Sequence, residues 1–312
     1  MQNLAAYTAS CPRKPGGLFT KDEGLGPSGC RILLRLSRLA NRRAFAGARA
    51  MGIGLSASEY MARLVEEFGM RGSALCLGRQ DVWYDERQFG AFIQALKWGA
   101  AGDQGVIFHD GRRAARYQEL RKSGRAHRRA DPNYISDELL FAALGFESLD
   151  SADVNDFEGA SVIHDFNQPG LGAAAGKQFD FVFDGGTIEH VFHVPNMMRN
   201  IFDVLNVDGF VLHAAPSNNH CDHGFYQFSP TFFYDWYAAN GWSIKKADFF
   251  KYAIAHNVPW EYTSYTPGVL DPIAFGGLDS ALYGTMFCAQ KTSASTWDRI
   301  PQQSFYVRHW PS

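Results

Sequence analysis

Short apolar runs, each closed by an acid or a small residue and separated by stretches of helical periodicity, recur along most of this chain. Ser73-Ala-Leu-Cys-Leu-Gly78, Phe146-Glu-Ser-Leu-Asp150, Ser161-Val-Ile-His-Asp165, Phe179-Asp-Phe-Val-Phe-Asp184 and Phe210-Val-Leu-His-Ala-Ala215 are the clearest. Runs of this length with little polar alternation read as strands buried on both faces, which is the pattern of a parallel sheet. The intervening segments read as helices. One over 56–68 starts at Ser56 or Ser58 as N-cap and stops near Gly69. Others cover 85–98, 137–145 with Gly145 as the stop, 196–206 with Met197, Ile201, Val204 and Leu205 on one face, and 229–240 with Ser229 as cap and Pro230 at the first position. Trp242–Phe250 and Leu282–Gln290 are two further strands. Strands alternating with helices imply a mainly parallel sheet covered on both faces, and such sheets bind ligands at the carboxyl ends of their strands.

Composition sets the limits of that fold. The chain has 312 residues, 46% of them hydrophobic and 14% aromatic, enough to bury a large core and too rich for a disordered chain. The formal net charge is -2, but it is unevenly spread. Residues 1–50 hold nine Lys or Arg against two acids, and residues 109–130 hold eight against two. The remainder is acidic, so the chain as a whole has no field for capturing nucleic acid, and no nucleic-acid partner is expected. The five cysteines include no C-x-x-C pair, which fits neither a disulfide framework nor a zinc ribbon. No apolar run reaches the roughly 20 residues of a membrane span, and the first thirty residues lack an export pattern. A cytoplasmic location is expected.

The domain organisation expected is a flexible leader over 1–28, broken by Pro and Gly, then a helical N-terminal extension over 29–69. An α/β domain over 70–292 follows, with a loop-rich basic insert at about 99–133, and a tail over 293–312 closes the chain. The basic helix at 30–50 reads as a cap with a solvated Arg face; peripheral membrane contact through 31–49 is the lesser alternative. The sequence leaves the oligomeric state open.

The segment FDFVFDGGTIEHVFHVPNMMRNIFDVLNVDGFVLHAAP, from Phe179 onward, resembles class I S-adenosylmethionine-dependent methyltransferases, in particular the type 11 branch. The shared pattern is an apolar strand, an acid, a Glu-His pair, a helix ending in Leu, an Asp-Gly turn and a second apolar strand. The likeness covers roughly residues 70–290, interrupted by the insert. It implies a Rossmann-like, doubly wound, mainly parallel sheet of seven strands with an antiparallel last strand, S-adenosyl-L-methionine as cofactor, and a small-molecule or glycan-type acceptor.

What the cofactor needs can be placed residue by residue. Close backbone approach after the first strand matches Gly78 and Arg79. The family's loop has two or three glycines, whereas here Gly78 stands alone before bulky Arg79 and Gln80, so the loop is degenerate. The ribose hydroxyls need a carboxylate accepting two hydrogen bonds, and the resemblance puts Asp150 there. Asp165 matches the adenine contact, with Phe166 beside it to stack, against the alternative of an Asx turn leading into Asn167. Asp184 and Gly185 end the fourth strand, where sulfonium and acceptor meet.

Histidines supply the remaining chemistry. His190 follows Glu189, and His220 and His223 lie in the polar loop after the fifth strand. A histidine there suits a general base for methyl transfer to a hydroxyl. His220-Cys-Asp-His223 also invites a metal reading, but its spacing is short and no second ligand cluster accompanies it in the sequence, so no metal is expected. Two other functions compete with methyl transfer: a non-catalytic binding or scaffold protein keeping the fold, and a nicotinamide-dependent oxidoreductase. The last needs G-x-G-x-x-G after the first strand, which CLGRQDV lacks.

Overall fold

The computed structural model describes residues 52–102, 105–128, 131–253 and 258–310. The expected leader and the basic helix at 30–50 lie outside these. Among the described residues no helix is long and apolar enough to cross a membrane.

The core of the fold is an eight-stranded sheet. Its strands are β1 (Ser73–Leu77), β4 (Ser148–Asp153), β5 (Val162–Ile163), β6 (Phe179–Gly185), β7 (Leu205–Asn218), β8 (Ser243–Tyr252), β9 (Glu261–Ser264) and β10 (Leu282–Gln290). They lie in the order β5-β4-β1-β6-β7-β10-β8-β9. The first five positions are parallel; β10 runs antiparallel between β7 and β8. This is the doubly wound α/β arrangement with an antiparallel final strand. The sequence implies seven strands; the eighth, β9, is a short edge strand against β8, too exposed and polar to stand out as an apolar run.

Helices cover both faces. On one face lie α1 (Leu55–Phe68), α2 (Glu86–Ala95), α3 (Gly111–Lys122) and α4 (Asp137–Leu144), and on the other α5 (Leu171–Ala175), α6 (Val194–Val204) and α7 (Pro230–Ala239). α1 buries Ala57, Tyr60, Met61, Leu64 and Val65, one stripe at helical spacing. Its N-cap is Gly54, not the serines expected: Ser58 is already inside the helix, and its buried hydroxyl lies 2.9 Å from that of Tyr84. Gly69 ends it in a left-handed conformation. α6 begins two residues earlier than its periodicity suggests, with Met197, Ile201 and Val204 fully buried. Lys291 Nζ donates to the carbonyls of Phe202 and Leu205, 2.7 Å each, and so satisfies the orphan carbonyls at the end of α6.

The basic insert is more ordered than its composition suggests. A hairpin of β2 (Gly99–Gly102) and β3 (Gly105–Phe108) leads into α3, capped by Asp110. Its arginines face the chain's own groups: Arg121 binds Glu86, Arg125 pairs with Glu138, Arg128 with Asp81, Arg116 with Glu119, and Arg113 covers the Trp98 ring.

One buried chain of polar groups ties β6, β7 and α7 together. Asp184, near the end of β6, is fully buried. Its Oδ1 accepts the backbone N–H groups of Thr187 and Ile188, and its Oδ2 lies 2.6 Å from His213 Nδ1 on β7. His213 Nε2 is 2.7 Å from the Tyr237 hydroxyl on α7, and the imidazole stacks on Phe233. Removing the carboxylate strands two backbone donors and a ring nitrogen in a dry core. Asp184→Ala is therefore expected to cost about 3–5 kcal/mol of folding stability, read as a lowered urea midpoint with an unchanged slope.

Candidate active site

The sheet reverses its winding between β1 and β6, and in doubly wound sheets ligands bind outside the carboxyl ends of the strands at such a point. Gly78 donates its N–H to Ala152 O on β4 at 2.7 Å and takes φ +74°. A Cβ there would sit 2.7 Å from Thr187 Oγ1, so the loops approach too closely for any other residue. Thr187 Oγ1 donates to Leu77 O at 2.6 Å and pins the exit of β6 to the exit of β1.

Gln80 fills the space between the two loops. Its Nε2 donates to Leu77 O at 3.2 Å, while its Oε1 is buried without a hydrogen-bond partner. A Cβ on Gly185 would come within 2.6 Å of that oxygen. Arg79 turns away to the start of α4, with Nη2 2.9 Å from Asp137 Oδ1 and 3.7 Å from Glu138.

The other expected residues divide between rim and interior. Gly185 ends β6 and is itself buried, with the Phe183 ring and the Gln80 amide against it. Asp150 is not at the end of its strand: it pairs in register with Leu75, and its carboxylate takes Lys177 at 2.7 Å and the Ser161 hydroxyl at 2.8 Å. The apolar residues Phe146 and Leu149 placed the expected strand too early. β4 continues through Ser151 and Ala152, and the acid at its end is Asp153, next to the carbonyl that receives Gly78. Small buried residues just before that acid were the available signal. Asp165 is exposed on the loop after β5, where its Oδ1 accepts Asn167 N–H and side-chain amide. These bonds, backbone first, hold its carboxyl below the usual range, and the geometry is the Asx turn. Phe166 is buried in the core rather than open on the rim. Asp184 has both oxygens committed inside the fold, as described above, and offers none to a ligand.

Beyond Gly186 a 3₁₀ turn over Ile188–His190 carries Glu189 and His190. The loop after β7 comes to meet it. Phe225 N–H donates to Glu189 O at 2.8 Å, and Gly224 packs so closely that a Cβ would lie 2.8 Å from that oxygen. The His190 and His223 rings meet edge-on with centroids 5.1 Å apart, and the His220 ring lies 5.8 Å from that of His223. The three histidines and Glu189 thus form one cluster. Glu189 is fully buried, and burial pushes its carboxyl up. Contact with Glu189 raises His223, whereas burial lowers His190 and His220. His220 Nε2 is 3.2 Å from the Tyr252 hydroxyl.

A cleft of about 760 Å³ opens on the other face of β8 from Tyr252, lined by Asn219, Gln227, Thr231, Phe249, Tyr265 and Asp271 among others. Gln227 Oε1 accepts His220 N–H, so the histidine loop forms part of its wall.

No family model and no curated protein sequence matches this chain. Solved structures do. TehB from Haemophilus influenzae aligns at 15% identity with a TM-score of 0.33, over 49% of this chain and 53% of that one. The chain therefore spans about half of the TehB chain. The 1,6-didemethyltoxoflavin-N1-methyltransferase of Burkholderia thailandensis, solved with S-adenosylhomocysteine, aligns at 12% identity with a TM-score of 0.37, over 90% of this chain and 100% of that one. An O-methyltransferase from Bacillus cereus aligns at 11% identity and a TM-score of 0.32, over 88% and 93% of the two chains.

Asp137 gives the site's surroundings a pH signature. Its side chain is 2% exposed, one oxygen has no hydrogen-bond partner, and burial pushes its carboxyl up to about 6 despite the Arg79 guanidinium. A raised acid binds its proton more tightly folded than unfolded, so its contribution to stability is present below about pH 4 and is lost as pH rises through about 6. Urea unfolding at pH 4 and pH 7 should show the wild type losing roughly 3 kcal/mol relative to Asp137→Asn across that window. A stability difference that does not change with pH would contradict the assignment.

Proposed function

We propose that this chain is a class I S-adenosylmethionine-dependent methyltransferase acting on a small-molecule or glycan-type acceptor. One observation carries this: the winding reversal is flanked by Gly78 and Gly185, with Asp153 at the end of the neighbouring strand. Gly78 makes the sharp left-handed exit from β1, and a carboxylate one strand over suits a ribose diol. The orphaned Gln80 Oε1 fits the same ligand, because an ammonium entering beside Gly78 supplies the donor that this oxygen lacks. Gly78, Gln80 and Gly185 would hold the methionine end, Asp153 the ribose, and the loop at Asp165 would border the adenine. When bound, the cofactor supplies an electrophilic methyl on sulfur.

The protein's own part is orientation and proton handling. The half-exposed His190 and His223 are open to an incoming acceptor, and Thr187 fixes the segment that carries His190. The acceptor approaches from this histidine side of the rim.

The alternative, a binding protein that keeps the fold without catalysis, draws on the Gln80 amide that occupies the gap between the loops. Thermal shift and calorimetry separate the two. S-adenosylhomocysteine should raise the melting temperature and NAD should not. Asp153→Ala should weaken S-adenosylhomocysteine about tenfold to a hundredfold, as expected for losing a charge-assisted hydrogen-bond pair, while Asp150→Ala leaves it nearly unchanged. Gln80→Ala, which removes the acceptor for the ammonium, should weaken it about tenfold. Absence of any stabilisation by S-adenosylhomocysteine would defeat the proposal.

A further inference from the structure

Glu189 poses a problem that methyl transfer does not solve. It is fully buried, and neither carboxylate oxygen has a hydrogen-bond partner. A buried carboxylate without donors is costly unless a counter-charge sits against it. The groups facing it are two imidazole nitrogens: His223 Nε2 lies 3.5 Å from Glu189 Oε1, and His190 Nε2 lies 3.9 Å from it. His223 Nε2 likewise has no hydrogen-bond partner. One donor atom from each of the three side chains falls within 4.8 Å of the others.

These separations are those of ligands around an ion. Two ligands each about 2.0–2.1 Å from a tetrahedral metal lie about 3.3 Å apart. The carboxylate and the His223 nitrogen already stand close to that distance, and His190 needs only a small rotation of a half-exposed side chain. A proton shared between Glu189 and one imidazole would satisfy a single oxygen and leave the other and the second ring unanswered. An ion takes a lone pair from each of the three.

The backbone holds the ligands in place before any ion arrives. Glu189 O accepts N–H groups from Phe225 and Tyr226, so the two ligand-bearing segments are locked together. Asp222, beside His223, adopts φ +62° to turn the loop back. The neighbouring His220 is engaged elsewhere, with Nε2 3.2 Å from the Tyr252 hydroxyl and its backbone N–H on Gln227 Oε1. His190 and His223 are 48% and 31% exposed, which leaves one side of the cluster open.

We propose that Glu189, His190 and His223 bind one divalent first-row transition-metal ion, of the zinc type, with the remaining coordination positions open toward solvent. Two imidazoles with one carboxylate select against magnesium and calcium, which prefer all-oxygen shells. An open metal site polarises a bound hydroxyl or water. The site shares His190 and His223 with the proposed acceptor side, where an ion would take the place of a free imidazole base, and its binding is tested without methyl transfer.

The test uses the untagged full chain, stripped with a chelator and titrated with Zn²⁺ by calorimetry, and with Co²⁺ followed by visible absorption. The expected result is one equivalent of Zn²⁺ per chain and Co²⁺ bands more intense than those of the aqueous ion. His223→Ala and His190→Ala, both at partly exposed positions and checked by circular dichroism, should each weaken Zn²⁺ at least tenfold. Cys221→Ser should leave binding intact. No stoichiometric binding, binding untouched by both histidine variants, or loss in Cys221→Ser would each overturn the proposal.

Discussion

Asp184 governs where the chemistry-bearing residues of this protein stand. Its carboxylate sits at the carboxyl end of a central strand, where a free acid would face a ligand, yet it is spent inward. One oxygen gathers the N–H groups of Thr187 and Ile188, and the other meets His213. The first pair of bonds sets the turn that delivers Thr187 to Leu77 and Glu189–His190 to the loop after β7. The second ties that turn to β7 and, through Tyr237, to α7. In a dry interior such bonds are geometrically demanding and costly to break, so the rim and the histidine cluster share one rigid origin.

The same logic explains what the sequence could and could not disclose. Strands such as Phe179–Gly185 and Leu282–Gln290 were legible because central strands of a doubly covered sheet must be apolar throughout. β9 and the β2–β3 hairpin were not, because short, Gly-rich or exposed strands lack that constraint. Asp150 was mistaken for the end of β4 because the strand's apolar residues come first and its buried end consists of Ser151 and Ala152, chosen for size rather than hydrophobicity. Asp165 kept the turn geometry that its neighbour Asn167 favours. The partnership of Glu189–His190 with His223 had no local signature, since it depends on hydrogen bonds between segments more than thirty residues apart.

Charge in the insert illustrates a related limit. A run of arginines looks like a surface prepared for anions, but composition does not say which acids the fold brings opposite. Here Glu86, Glu119, Glu138 and Asp81 meet four of them, and Trp98 takes a fifth. Arg79, expected to line the first loop's ligand site, instead serves buried Asp137. The basic residues thereby fasten the insert to the first face of the sheet.

That distribution bears on how the rim can work. A loop with several glycines offers a ligand bare backbone at no cost. Here a single glycine is followed by Gln80, whose amide lies between the exits of β1 and β6. Its unpartnered oxygen carries an uncompensated desolvation cost. Thr187, bonded to Leu77 on one side, connects this point to the turn bearing Glu189 and His190. Gln80, Leu77, Thr187 and the Asp184 turn are thus joined by covalent chain and hydrogen bonds to the segment that carries Glu189 and His190.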